Sequence, residues 1–262
     1  MKRLITFITV WMVAMSASGQ FLEVGFFAGG SYYTGDLNPS YHFMGTHPAY
    51  GVVARYPYGT RWAFKVSGYF GRVSADVNKS GYIDNRDLNF ESKIMDISAV
   101  AEFNFFDYFT GSKRDVISPY IFGGVGFFTF NPESNGVELN SLGTEGQNIG
   151  FDGRSPYNLY SFCLPFGFGL KYSLNSRLSL GVEWGMRKTL TDYLDDVSTT
   201  YYLNGETIDP SNVAESLSDP SRIHKPNQER GNPATRDWYN FSGVTLTYKF
   251  RLPGSRKCPD QG

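Results

Sequence analysis

The feature that most narrows what this chain can fold into is an apolar period of two, repeated in run after run. From Asn158 to Tyr172, Tyr160, Phe162, Leu164, Phe166, Phe168, Leu170 and Tyr172 share one face, and Ser161, Cys163, Pro165, Gly167, Gly169 and Lys171 share the other. A helix would return its apolar residues every three or four positions, so this pattern describes a strand that is greasy on one side only. The next run repeats it, with Leu178, Leu180, Val182, Trp184 and Met186 set against Ser179, Gly181, Glu183, Gly185 and Arg187. Charge again lies opposite the apolar face.

Reading the whole chain this way gives eight strands: Phe21 to Tyr33, His47 to Tyr56, Arg61 to Arg72, Glu91 to Asp107, Ile117 to Phe130, Asn158 to Ser173, Arg177 to Arg187 and Tyr239 to Phe250. Most are longer than the ~5–6 residues of a soluble strand and reach the ~9–11 that a tilted membrane strand needs. The connections alternate in length. Pro57 to Thr60, Tyr108 to Val116 and Leu174 to Ser176 are short, whereas Thr34 to Thr46 (13 residues), Val73 to Phe90 (18), Asn131 to Tyr157 (27) and Lys188 to Trp238 (51) are long. Short periplasmic turns alternating with long external loops mark an outer-membrane barrel. The expected fold is therefore all-β, an eight-stranded antiparallel up-and-down transmembrane barrel over residues 20–250, followed by a periplasmic tail over 251–262.

Composition agrees. With 41% hydrophobic, 17% aromatic and 19% charged residues and a net charge of −1, the chain is too apolar for disorder and too weakly charged for a nucleic-acid surface. Lys2 and Arg3, an apolar run from Leu4 to Met15, and the small residues Ser16 to Gly19 read as a secretory leader over residues 1–19. No later apolar stretch is long enough for a spanning helix, so a membrane form must be a barrel. Two cysteines, Cys163 and Cys258, permit at most one disulfide, and a position on the lumen wall for the first makes that pairing geometrically unfavourable.

If the greasy faces point outward, the lumen receives Glu23, Arg55, Lys65, Asp96, Glu102, Lys171, Glu183, Arg187 and Lys249, five basic and four acidic groups. An eight-stranded barrel is only wide enough for side chains to fill it, so these charges should pair and plug it. The functional alternative is an ion or solute path. The strand from Ile117 to Phe130 is apolar on both faces around Gly123, Gly124 and Gly126, which leaves its lipid side unassigned and points to a bend or close packing.

Catalytic chemistry finds little support. His42, His47 and His224 all fall in or beside external loops, where exposed histidine is expected, and no G-x-S-x-G, H-E-x-x-H, Walker or paired C-x-x-C pattern occurs. Asp192, Asp195 and Asp196 could offer calcium oxygen ligands, but the segment lacks the alternate-ligand spacing and central glycine of an EF-hand, so it reads as a solvated turn. No metal or cofactor is expected.

Three ordered motifs carry a resemblance that covers nearly all of the chain beyond the leader. Ser31 to Pro39 contains Tyr33, Gly35 and Asp36; Ser118 to Pro132 runs Ser-Pro-Tyr, then glycines, then Phe-Asn-Pro; and Thr191 to Ser198 contains Asp192, Tyr193, Asp195 and Asp196. Together they are similar to PorG-type outer-membrane proteins associated with type IX secretion. The resemblance implies a small non-enzymatic barrel that contacts periplasmic ring proteins of the secretion machine. On that basis Lys113 and Arg114, in the longest periplasmic turn, and Arg251, Arg256 and Lys257, in the tail, are candidate docking residues. The competing readings are a surface-binding barrel whose 51-residue loop, with Tyr201 and Tyr202, meets an extracellular partner; a soluble lipocalin-like barrel, which would invert the faces; and an enzyme barrel.

Overall fold

The computed structural model describes residues 21–78 and 85–252. Residues 1–19, read above as a leader, and Arg256, Lys257 and Cys258 lie outside the described residues. Eight long strands form the wall: β1 (Phe21–Thr34), β2 (His47–Tyr58), β3 (Trp62–Asp76), β4 (Asn89–Asn104), β5 (Ile117–Thr129), β8 (Tyr160–Ser173), β9 (Leu178–Thr189) and β10 (Trp238–Arg251). Two short strands, β6 (Pro132–Ser134) and β7 (Val137–Glu138), make a hairpin beyond β5, and β6 continues the pairing of β5 along β4. Every neighbouring pair is antiparallel. The order runs β3-β2-β1-β10-β9-β8-β5-β4, and β3 pairs with β4 to close the ring.

The wall has the faces that the alternation demanded. Phe26 is 73% exposed, and Val52, Val66, Ile97, Val125, Phe162, Phe168 and Leu246 are likewise exposed on the outside. So continuous an apolar surface belongs in lipid, not water. Aromatic contacts cluster where the belt ends on the short-turn side: Trp62 meets Phe103 at 5.0 Å, Phe103 meets Phe105 at 5.7 Å, and Tyr248 meets Phe250 at 4.8 Å between ring centres. Interfacial aromatics of this kind form the girdle of a membrane barrel.

The largest departures from the expected strand boundaries are in β3 and β4. β3 and β4 run on past Arg72 and start before Glu91, pairing out to Asp76 with Asn89, so the hairpin rises beyond the belt as a ribbon. At the other end β4 stops at Asn104, not Asp107: the ladder reaches its end with the Asn104 N–H on the Arg61 carbonyl and the Phe105 N–H on the Pro119 carbonyl, and the chain then turns, with the Phe109 N–H on the Asp115 carbonyl. The short connection therefore covers 105–116.

β5 resolves its ambiguity by facing Tyr120, Phe122 and Phe128 inward and Ile121, Val125 and Phe127 outward. The two central glycines differ. At Gly124 a Cβ would fall 2.1 Å from the Ala99 carbonyl oxygen of β4, whereas at Gly123 it would meet nothing within 4 Å. Gly124→Ala should thus cost about 1–3 kcal/mol by forcing β5 off β4, while Gly123→Ala, which adds a methyl on the lipid side, should leave the urea midpoint nearly unchanged. Equal midpoints for the two variants would contradict this packing.

Candidate functional site

The lumen is built by the inward residues of strands that face each other across the ring. β3 and β9 are diametrically opposed, as are β4 and β10. Lys65 Nζ of β3 donates to Glu183 Oε2 of β9 at 2.6 Å, and Tyr69 of β3 donates to Glu183 Oε1 at 2.8 Å. Tyr239 of β10 donates to Asp96 Oδ2 of β4 at 2.8 Å. These bonds cross the full diameter, so the bore is spanned by side chains.

Glu102 is the hub of the lower half. It accepts from Arg55 Nε at 2.8 Å and from Lys171 Nζ at 2.6 Å, and Lys65 Nζ lies 3.5 Å from its other oxygen. Arg55 also donates to Glu23 at 3.1 Å. Arg187 closes the set, with Nε 3.8 Å from Asp96, Nη1 donating to the Gly185 carbonyl at 2.8 Å, and its guanidinium 4.8 Å from the Phe241 ring centre. Glu23, Asp96, Glu102 and Glu183 thus balance Arg55, Lys65, Lys171 and Arg187, all buried. Such balance is what a low-dielectric lumen requires. Lys249, the ninth expected lumen charge, sits half-buried at the short-turn mouth, where it donates to the Thr110 carbonyl and lies 4.5 Å from the Phe109 ring centre.

The long-loop mouth is closed by a cap that overturns the expectation of a solvated acidic turn. Asp195 and Asp196 are 1% and 0% exposed, and Asp192 and Asp237 are also buried. Tyr33, at the end of β1, donates to Asp237 Oδ1 at 3.0 Å and to Asp195. A Cβ at Gly35 would stand 2.1 Å from the Tyr33 hydroxyl, so glycine there keeps room for this bond. Asp36 accepts from the Asn232 backbone at 2.9 Å, and Tyr157 donates to Asp196 at 2.6 Å while stacking on Tyr193 at 4.5 Å. The motif residues Tyr33, Gly35, Asp36, Asp192, Tyr193, Asp195 and Asp196 therefore meet in one cluster. Glu145, Arg230 and Asp237 belong to it as well and were not singled out by sequence. Arg230 Nη1 donates to Glu145 Oε1 at 3.1 Å and to the Asp196 carbonyl at 2.6 Å. Among the described residues no group of three or more His, Cys, Asp or Glu is arranged to hold a metal ion.

Acid crowding shifts the cap's titration. Burial, with Asp36 and Glu145 nearby, pushes Asp192 up to about 7 against the hydrogen bond from Ser198. Burial pushes Asp196 up to about 6, opposed by Arg230 and by bonds from Thr144 and Tyr157. Asp195 and Asp237 are raised well above the carboxylate range by burial and by neighbouring carboxylates. Because these folded-state values exceed the unfolded ones, the stability they contribute is fully present at acid pH and is lost as pH rises through about 6–7. Hydrogen exchange of residues 192–198, corrected for intrinsic rates, should show more protection at about pH 5 than at about pH 8. Greater protection at the higher pH would contradict the assignment.

Two aromatic and histidine expectations also change. His224 is buried, stacked on Tyr201 at 4.2 Å between ring centres. Tyr201 is 0% exposed and so does not face an external partner, while Tyr202 is half-buried. Asp219 Oδ1 and Ser221 Oγ lie 2.8 and 3.2 Å from the same nitrogen of His224, Nδ1, whereas a Ser-His-Asp relay uses opposite nitrogens. This trio ties the loop together beside the short helix α1 (Val213–Ser218). His42 is exposed, and His47 is half-buried with its Nε2 2.8 Å from the Ser74 hydroxyl.

On the short-turn rim Lys113 and Arg114 are exposed in the 105–116 turn, and Arg251 is exposed at the end of β10. Cys163 is a free, buried thiol on the lumen wall, 3.7 Å from Asp96.

A family model described as a domain of unknown function, DUF6089, matches residues 2–258. The chain belongs to this family. Solved structures similar to this DUF6089 chain include Neisserial surface protein A, at 11% identity and TM-score 0.45, covering 87% of this chain and 97% of that one. Ail, the attachment invasion locus protein of Yersinia pestis, matches at 12% identity and TM-score 0.43, with 89% and 99% covered. The outer membrane protein OprG from Pseudomonas aeruginosa matches at 13% identity and TM-score 0.40, with 90% and 97% covered. No curated protein matches the sequence at a significant level. The DUF6089 barrel is an integral outer-membrane protein on its own geometry: a closed antiparallel ring, an apolar exterior, a charged lumen, and long loops gathered at one end.

Proposed function

We propose that this barrel is a non-enzymatic membrane anchor, exported by the leader at residues 1–19, that positions a type IX secretion complex through its periplasmic face. The observation that carries this reading is the charge of the periplasmic rim beneath a spanned lumen. Among the described residues Arg61, Lys113, Arg114, Arg177 and Arg251 are exposed there against Asp107 and Asp115 alone, and Asp107 is already paired with Arg61 at 2.8 Å. Exposed Phe106 adds an apolar contact in the same turn. A basic rim around an aromatic fits an acidic periplasmic partner, and electrostatic complementarity favours encounter and orientation. Cross-linking in outer membranes followed by pull-down should recover periplasmic ring proteins. Replacing the 107–115 turn or the 251–262 tail should lose them, and unchanged recovery from both replacements would overturn the proposal.

A specific feature favours a second reading, a surface barrel that meets an extracellular partner. A groove of about 600 Å³ opens beside the external mouth, lined by Leu37, Met44, His47, Phe90, Glu91 and Glu133 among others. Substitutions in this groove that spare secretion but abolish cell-surface binding would select this reading over the anchor.

A further inference from the structure

The outer wall carries a charge pattern that the lumen and the rim do not explain. Lys188, the last outward residue of β9, is exposed, and its Nζ lies 5.2 Å from the ring centre of its cross-strand partner Trp238. The ladder continues past the strand end, where the Thr189 N–H bonds to the Asp237 carbonyl at 3.0 Å. Arg236 is therefore opposite Leu190, whose carbonyl accepts from its Nη1 at 2.6 Å. Lys188 and Arg236 are thus diagonal neighbours on the outward face, a separation of roughly 7–8 Å at most between Cβ atoms. A tetrahedral anion with several acceptor oxygens can bridge two cations so spaced.

Their surroundings are apolar. Leu164, the β8 partner of Lys188, is exposed, as are Leu190 and Phe162, and Phe166 meets Trp238 edge-on at 5.9 Å. The other outward cations near this end are compensated, Arg72 by Glu91 at 2.7 Å and Lys93 by Glu133 at 3.5 Å. Among the described residues neither Lys188 nor Arg236 has an ion-pair partner. The carboxyl in electrostatic reach of Arg236 is that of Asp192, which is turned into the cap and bonded to Ser198 at 2.8 Å. Uncompensated cations on a lipid-facing wall are costly unless lipid supplies the counter-charge.

We propose that Lys188 and Arg236, flanked by Trp238, seat a phosphate of an outer-leaflet phosphorylated glycolipid on the β9–β10 wall. Its acyl chains lie along Leu164 and Phe166, and its phosphate oxygens accept from the ammonium and guanidinium groups. The lipid, and not a free anion, is the occupant because the cations stand at the edge of an apolar wall that a soluble ion would leave uncovered. The inference rests on the membrane reading and is independent of periplasmic docking.

The test uses the full-length barrel in nanodiscs, titrated with a diphosphorylated glucosamine lipid, the same lipid without phosphates, or inorganic phosphate, and read by native mass spectrometry. The phosphorylated lipid should be retained, and the Lys188→Gln/Arg236→Gln variant should lose at least about tenfold in affinity, as expected for charge-assisted bonds. An Arg72→Gln/Lys93→Gln variant on the opposite wall should bind as the parent does, with heat-modifiable mobility confirming that both variants fold. Equal retention of the dephosphorylated lipid, unchanged affinity in the first variant, or full competition by inorganic phosphate would each overturn the proposal.

Discussion

Glu102→Ala should be among the most destabilising single substitutions in the barrel. It removes the carboxylate that Arg55, Lys65 and Lys171 share, and while Arg55 keeps Glu23 and Lys65 keeps Glu183, Lys171 is left buried without its ion-pair partner. An intact buried ion pair often contributes little net stability, because desolvation offsets attraction, but breaking one by removing a single partner typically costs about 3–5 kcal/mol. The loss should appear as a lowered urea midpoint for protein refolded in lipid vesicles, with the slope retained. A partial remedy follows from the same geometry: adding Lys171→Met to Glu102→Ala removes one uncompensated charge, so the double variant should be more stable than the single one. A loss under about 1 kcal/mol for Glu102→Ala would mean that water, not the protein, solvates the lumen charges.

Arg230→Ala should act at the other end and in a different way. Arg230 is the buried cation between Glu145 and Asp196, and the cap around it also holds Asp36, Asp192, Asp195 and Asp237. Without it the remaining carboxyls repel each other and Glu145 loses its ion pair, again a cost of about 3–5 kcal/mol but borne by the loops. The 190–237 segment should become open to proteolysis while the heat-modifiable mobility of the barrel is retained, since loops open locally at a lower cost than the hydrogen-bonded strands of the wall. Acidification to about pH 5 should restore part of the protection, because the raised carboxyls then bind protons. A global loss of barrel folding, with no selective cleavage of the loop, would show that cap and wall are one unit.

These two sites differ in how far the sequence discloses them. The lumen charges are legible because alternation assigns each side chain a face, and a residue opposite a greasy face of a barrel has nowhere to go but inward. Glu102 and Lys171 can be placed inside without knowing their partners. β5 is not legible, because Phe122 and Phe128 fill the lumen while Ile121 and Phe127 meet lipid, and both faces are therefore apolar. The cap is illegible for another reason. Asp192, Asp195 and Asp196 look like a solvated turn in isolation, and their burial depends on Tyr33, Glu145, Arg230 and Asp237, which lie far away in the chain. The one signal available is the pairing of the Tyr33–Asp36 and Asp192–Asp196 segments in the ordered motifs, which names the halves of the cluster without stating that they touch. Within the long last loop, the burial of Tyr201 against His224 is likewise set by a contact that no local pattern records.

The Lys65–Glu183 and Tyr239–Asp96 bridges span the bore of this closed membrane barrel, and an acidic cap covers it. Single-channel recording of purified protein in planar bilayers should therefore show insertion, confirmed by heat-modifiable mobility of the reconstituted protein, without stable conductance at neutral or acid pH. A reproducible open state from the folded wild-type barrel would contradict it.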